Sequence, residues 1–188
     1  MGRFNDRTTD QIIQVAQAES GCMFVSRDTE WTNETLNNLT DSTVEGATSV
    51  LSDIFNAGKQ MNAVRVNDEL PPDHASRALG ALAAKYYGVD VMLIDPIIAT
   101  LDPNNLAKTK SQVQAGYKDR ALCIIDYAQT QDSDLVDPNV RNLMLCIAKF
   151  TPNYCAQGGT VISVETNESL SLAMHGDVRD EQTTPLYV

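Results

Sequence analysis

Histidine is almost missing from this chain of 188 residues, which holds two, His74 and His175. Neither stands in a nucleophile–base pattern, so histidine-based acid–base catalysis has no footing in the sequence. Basic residues are also scarce, 14 Lys and Arg against 25 Asp and Glu, for a formal net charge of −11 and a pI near 4.4. They are scattered singly, which excludes the clustered cations that a grip on nucleic-acid phosphates requires. Two readings of the acidity remain: solubility, or a surface that repels a polyanion passing nearby. Four cysteines (Cys22, Cys123, Cys146 and Cys155) are too few for a disulfide framework in a chain of this length. Cys146 and Cys155 have no second ligand pair, so structural zinc is not expected.

Long apolar runs are missing too. No stretch approaches the roughly 18 residues of a bilayer span, and no membrane association is expected. The opening MGRFNDRTTD lacks the apolar core of a signal peptide, and Asp6 stands where a myristoylation motif beginning at Gly2 wants Ser or Thr. The pair Gly158-Gly159 is not followed by a phosphate loop of the form GxxxxGK[ST]. Asp132-Ser-Asp134 lacks the glycine and the closing glutamate of a calcium loop. No catalytic residue, cofactor or metal is therefore expected.

What the chain does have is helical periodicity. A first helix is predicted at about residues 9–20, within DQIIQVAQAES. CMFVSRDTEW reads as a short strand, and NETLNNLTDS as a polar stretch whose side chains compete for backbone bonds. Ser42 and Glu45 form a capping box ahead of Val44, Ala47, Leu51, Ile54 and Phe55, which predicts a helix over 42–58. MNAVRVN reads as another short strand. In LPPDHASRALGALAAKYYG two prolines open a stripe of Ala75, Ala78, Leu79, Leu82, Ala83 and Tyr86, and Gly88 ends it.

Asp-Pro pairs at 95, 102 and 137 read as three further helix starts. The longest predicted helix is NLAKTKSQVQAGYKDRALCIIDYA, with Leu106, Val113, Tyr117, Ala121, Ile124 and Ala128 on its buried stripe. Another continues from Val140 to about Phe150, and TVISVET then alternates like a strand. An apolar content of 43% supports a real core.

The fold expected is mainly α: a four- or five-helix bundle with a small β element and an extended C-terminal arm. Residues 1–150 would form the bundle domain, and 151–188 the strand and arm. The arm ends in Pro185, Leu186, Tyr187 and Val188. It either dangles, as termini commonly do, or docks on a partner through these residues by adding a strand or plugging a pocket.

The order of elements resembles the bacteriophage head-to-tail connector (adaptor) proteins, over about residues 9–125. The matching features are the proline-led small-residue helix from Leu70 to Gly88 and the long helix NLAKTKSQVQAGYKDRALCII from Leu106 to Ile125. The segment from Val136 onward departs from that pattern. The resemblance implies a structural virion protein rather than an enzyme, assembled in the host cytoplasm as a homo-oligomeric ring. Portal and tail proteins would be its partners, and DNA would pass along an acidic channel without specific binding. Two other readings stay open: a viral capsid, nucleocapsid or tail-completion protein, and a small cytosolic enzyme or regulatory binding module with no recognisable motif.

Overall fold

Short apolar runs lying between the helical stripes are too brief for helices, and they assemble instead into one sheet. A computed structural model describes residues 21–57, 61–65, 70, 72–116, 122–128, 137–165 and 184–187. The strands are β1 (Cys22–Val25), β2 (Met61–Arg65), β3 (Val91–Ile94), β4 (Leu122–Asp126), β5 (Thr160–Glu165) and β6 (Thr184–Tyr187). They lie in the order β1-β3-β4-β5-β2-β6. β1 runs antiparallel to β3, and every other pairing is parallel.

Helices connect the strands: α1 (Glu30–Asn37), α2 (Asp41–Ala57), α3 (Pro72–Tyr86), α4 (Pro96–Ala99), α5 (Pro103–Gly116) and α6 (Pro138–Ala156). The Asp-Pro starts work as anticipated. Asp95 accepts from the N–H groups of Ile97 and Ile98, Asp102 from those of Asn104 and Asn105, and Asp137 from that of Asn139. Each carboxylate satisfies first-turn donors that would otherwise have no partner inside the helix.

Strand alternation divides the side chains between two cores. Leu122 and Ile124 of β4 join Ile162 and Val164 of β5 under α2 and α3, where Leu51, Ile54, Leu79 and Leu82 close the layer. On the opposite face Cys123, Ile125 and Val161 meet Val113 of α5 and Leu143, Met144 and Ile147 of α6. Strands covered on both sides read as unbroken apolar runs, as VMLI and LCII do here.

The structure thus corrects the expected helical bundle: the protein is α/β, with a sheet covered by helices on both faces. Three local expectations change with it. The first half of the polar stretch NETLNNLTDS lies in helix α1, begun by Thr29, whose hydroxyl accepts from the N–H of Thr32 at 3.2 Å. The long helix predicted through residue 128 ends by Gly116, and LCIID is strand β4. The boundary expected at residue 150 falls inside α6, and β5 and β6 belong to the same sheet as β2, β3 and β4. The first predicted helix, at 9–20, lies outside the described residues, as do Asp132–Asp134, His175 and Val188.

These changes also undo the connector resemblance. Its two marker helices are separated by β3, and the second is divided into a helix and a buried strand. An isolated hydrophobic stripe cannot distinguish the last turns of a helix from a four- or five-residue buried strand.

Candidate functional site

The parallel strands fix which edge of the sheet carries function. In an open α/β sheet, ligands enter outside the carboxyl ends of strands where the connections leave in opposite directions. That condition is met at the neighbours β5 and β2. The chain leaving β2 travels through α3 to β3, on the far side of β4 and β5, whereas the chain leaving β5 returns past β2 to β6. The carboxyl ends of β2, β4 and β5 are Arg65, Asp126 and Glu165.

Register places these three. Asp126 lies opposite Val164, and Glu165 lies one residue further, opposite Arg65 of β2. Because successive strand residues face opposite sides, Asp126 belongs to the α3 side with Leu122 and Ile124. Glu165 takes the other side, with Ser163 and Val161. Both carboxylates are buried, Asp126 at 8% exposure and Glu165 at 1%. Asp126 is held by its own turn, accepting from the N–H of Ala128 at 3.1 Å. The burial of a fixed acid at a strand end is what marks this position.

α3 starts at the same edge, because β2 ends there and β3 begins at the opposite one. Its N-terminal turns therefore present the positive end of the helix dipole on the Asp126 side of the sheet. His74 and Arg77 lie in those turns. Arg77 is buried at 6% exposure and donates from Nη2 to Nδ1 of His74. Together with Trp31, Glu34, Thr35, Asn38 and Leu39, they line a cavity of about 50 Å³ between α1 and α3. Lys85 at the other end of α3 pins α1, donating to Asn33 Oδ1 at 3.3 Å and lying 3.6 Å from Asp28.

The segment that would carry a phosphate loop, directly after β2, reads VNDELPPDH. It contains neither glycine nor lysine, so the backbone cradle and cation of a nucleotide-hydrolysing loop are not supplied there. No group of three or more His, Cys, Asp or Glu side chains among the described residues is arranged to hold a metal ion. No helix among the described residues is long and apolar enough to cross a membrane.

The tail residues named from the sequence occupy the sheet edge. Pro185, Leu186 and Tyr187 are in β6, opposite Ala63, Val64 and Arg65 of the chain's own β2. The arm thus adds a strand, and the strand it extends is intramolecular. The four cysteines are free thiols. Cys22 and Cys123 are buried in the core. Burial pushes the thiols of Cys146 and Cys155 above the ordinary value, opposed at Cys146 by Lys110 and Lys149 and at Cys155 by a backbone hydrogen bond from Val161. Sequence reasoning passed over Asp126, Glu165 and Arg77. The available signal was an apolar run closed by an acid, LCIID, whose meaning depends on its being a parallel strand.

No family model matches the chain. No curated protein matches it either. Among solved structures it is similar to a crystal structure of a DNA replication initiation factor, at 12% identity and a TM-score of 0.47. The match covers 82% of this chain and 48% of the other, so the chain spans about half the length of that structure. The expectation of a phage virion connector is corrected by the fold, which is a helix-covered sheet instead of a ring-forming bundle. The portal and tail partners and the virion location expected with it lose that support.

Proposed function

We propose that this protein is a regulatory binding module, whose ligand is a nucleotide-class phosphate compound carried with its divalent cation. The observation that carries this reading is Asp126, a buried acid fixed at the carboxyl end of a parallel strand on the same side as the N-terminus of α3. Magnesium is commonly held by one or two carboxylates with the remaining positions filled by water and phosphate oxygens. A strand-end carboxylate suits that mode, in which the ligand completes the site. The helix N-terminus supplies the complementary positive end for phosphate.

Regulation fits better than turnover for a physical reason. The segment after β2 has neither lysine nor glycine in its sequence. Binding without hydrolysis is the outcome this reading expects, because the lysine and glycines of a hydrolysing phosphate loop are missing from the sequence after β2.

The test is thermal unfolding of the full chain with ATP or ADP, in magnesium and in EDTA. A nucleotide-dependent rise in Tm that needs magnesium and is lost in Asp126→Asn is expected. Equal shifts in the wild type and D126N, or no shift with either nucleotide at millimolar concentration, would remove the proposal.

A further inference from the structure

The helical layers on the two sides of the sheet carry opposite charge. On one side α1 and α2 hold Glu30, Glu34, Asp41, Glu45 and Asp53, with no lysine or arginine. On the other side α5 and α6 hold Lys108, Lys110, Arg141 and Lys149, with no acid. Asp102 and Asp137, which cap the basic helices, are engaged by first-turn N–H groups. Lys110 donates to Asn142 at 3.1 Å, which joins α5 and α6 into one basic surface. Cations that are scattered along the sequence are thus gathered by the fold, in a chain whose net charge is −11.

The two surfaces also match in spacing. Arg141, Leu145 and Lys149 recur at i, i+4 and i+8 along α6, and all three are exposed, Leu145 at 52%. Glu45, Ser49 and Asp53 recur at the same spacing along α2 and are exposed as well. Each row is a helical ridge of the kind that packs against another helix, with charged ends about 12 Å apart at a rise of 1.5 Å per residue. Laid against each other, the rows set each cation beside an acid and place Leu145 over the small Ser49. Among the described residues, none of the four charges is in an ion pair.

We propose that the α6 face is a docking surface for a second copy of this chain, which it meets through the α2 face. Because α2 and α6 lie on opposite sides of the sheet, two copies cannot make both contacts at once, and the pairing is head-to-tail. The whole-chain charge opposes long-range approach, but salt at about 0.1 M screens it beyond roughly 10 Å and leaves direct contacts in place. This surface does not depend on the reading given for Asp126.

The experiment measures the mass of the full chain by light scattering against protein concentration, without nucleotide. In about 0.1 M salt the average mass should rise with concentration past that of a dimer, and it should fall at higher salt. Asp126→Asn should behave as the wild type, which separates this surface from the nucleotide reading. Leu145→Glu leaves the α2 face intact, and Glu45→Lys with Asp53→Lys leaves the α6 face intact. Each variant alone should be monomeric, and an equal mixture should form a dimer and stop there, which also shows that both are folded. A wild type that stays monomeric to about 100 μM, or that stops at a dimer, overturns the proposal. So does a mixture that stays monomeric. A monomeric chain that binds a labelled DNA duplex, with binding lost in Lys149→Glu, overturns it too and assigns the face to nucleic acid.

Discussion

The backbone N–H of Asp95 donates to the carbonyl of Gly21 at 2.8 Å, carrying the antiparallel β1–β3 pairing one residue beyond the strands. The same Asp95 turns its side chain onto the first N–H groups of α4, so one residue both ends a strand and begins a helix. Asp95→Ala should therefore cost about 1–2 kcal/mol, the usual worth of a helix cap. Urea unfolding should show a lower midpoint with an unchanged m-value, and Asp95→Asn should recover most of the loss.

Two glycines with positive φ separate backbone preference from packing. Gly88 has φ +64° and nothing within 4 Å of an added Cβ, whereas Gly21 has φ +78° and its Cβ would press into the backbone of Ala99. Gly88→Ala should cost only the left-handed backbone penalty, about 1 kcal/mol. Gly21→Ala should cost clearly more, because β1 must move off α4 as well. Thermal denaturation of the pair checks the order, and equal losses would contradict the packing at Ala99.

Ser163 sits in the middle of β5 with its hydroxyl fully buried and without a hydrogen-bond partner among the described residues. Burying an unsatisfied hydroxyl is unfavourable, and alanine removes it at little loss of volume. Ser163→Ala should leave stability unchanged or raise it by up to about 1 kcal/mol in chemical denaturation. A loss above that range would mean that the hydroxyl has a native partner.

The thiols give a pH-dependent prediction. Cys146 and Cys155 are raised above the ordinary thiol value chiefly by burial, so at neutral pH each holds less thiolate than a free cysteine. Alkylation by iodoacetamide should be slow at pH 7 for both, and should accelerate as pH rises past the usual thiol range. Cys22 and Cys123 should stay unmodified until the protein unfolds. Mass spectrometry of timed digests distinguishes the four sites.

Much of the helical layer was legible because its signals are local. The stripe from Val44 to Phe55 gave α2 nearly to the residue, although Ser42 lies inside the helix and its cap is Thr40, whose hydroxyl accepts from the N–H of Thr43; Pro71-Pro72 with Gly88 bracketed α3. The three Asp-Pro starts held because capping needs only a side chain and the next turn. β2 and β5 were also visible, as MNAVRVN and TVISVET. β4 was not, since Ala121, Ile124 and Ala128 repeat at helical spacing and a strand buried on both faces shows no alternation to contradict them. Missing β4 concealed the sheet, and the sheet is what gives Asp126 its position. Arg77 was hidden for a different reason: a basic residue on an alanine-rich helix reads as solvated, and only the packing of α1 across it creates the cavity.

The neighbours of β2 have a kinetic consequence. Met61 pairs with Val161 and Asn62 with Thr184, so both sides of this strand wait for residues far along the polypeptide. β3 and β4, by contrast, join strands separated by one helical crossover. Loop-closure entropy must be met before distant pairings reward it, so the β3–β4–β5 row is the natural early nucleus and the β2 row forms last. Until then the β5 border stays open, making this interval of refolding the most exposed to aggregation.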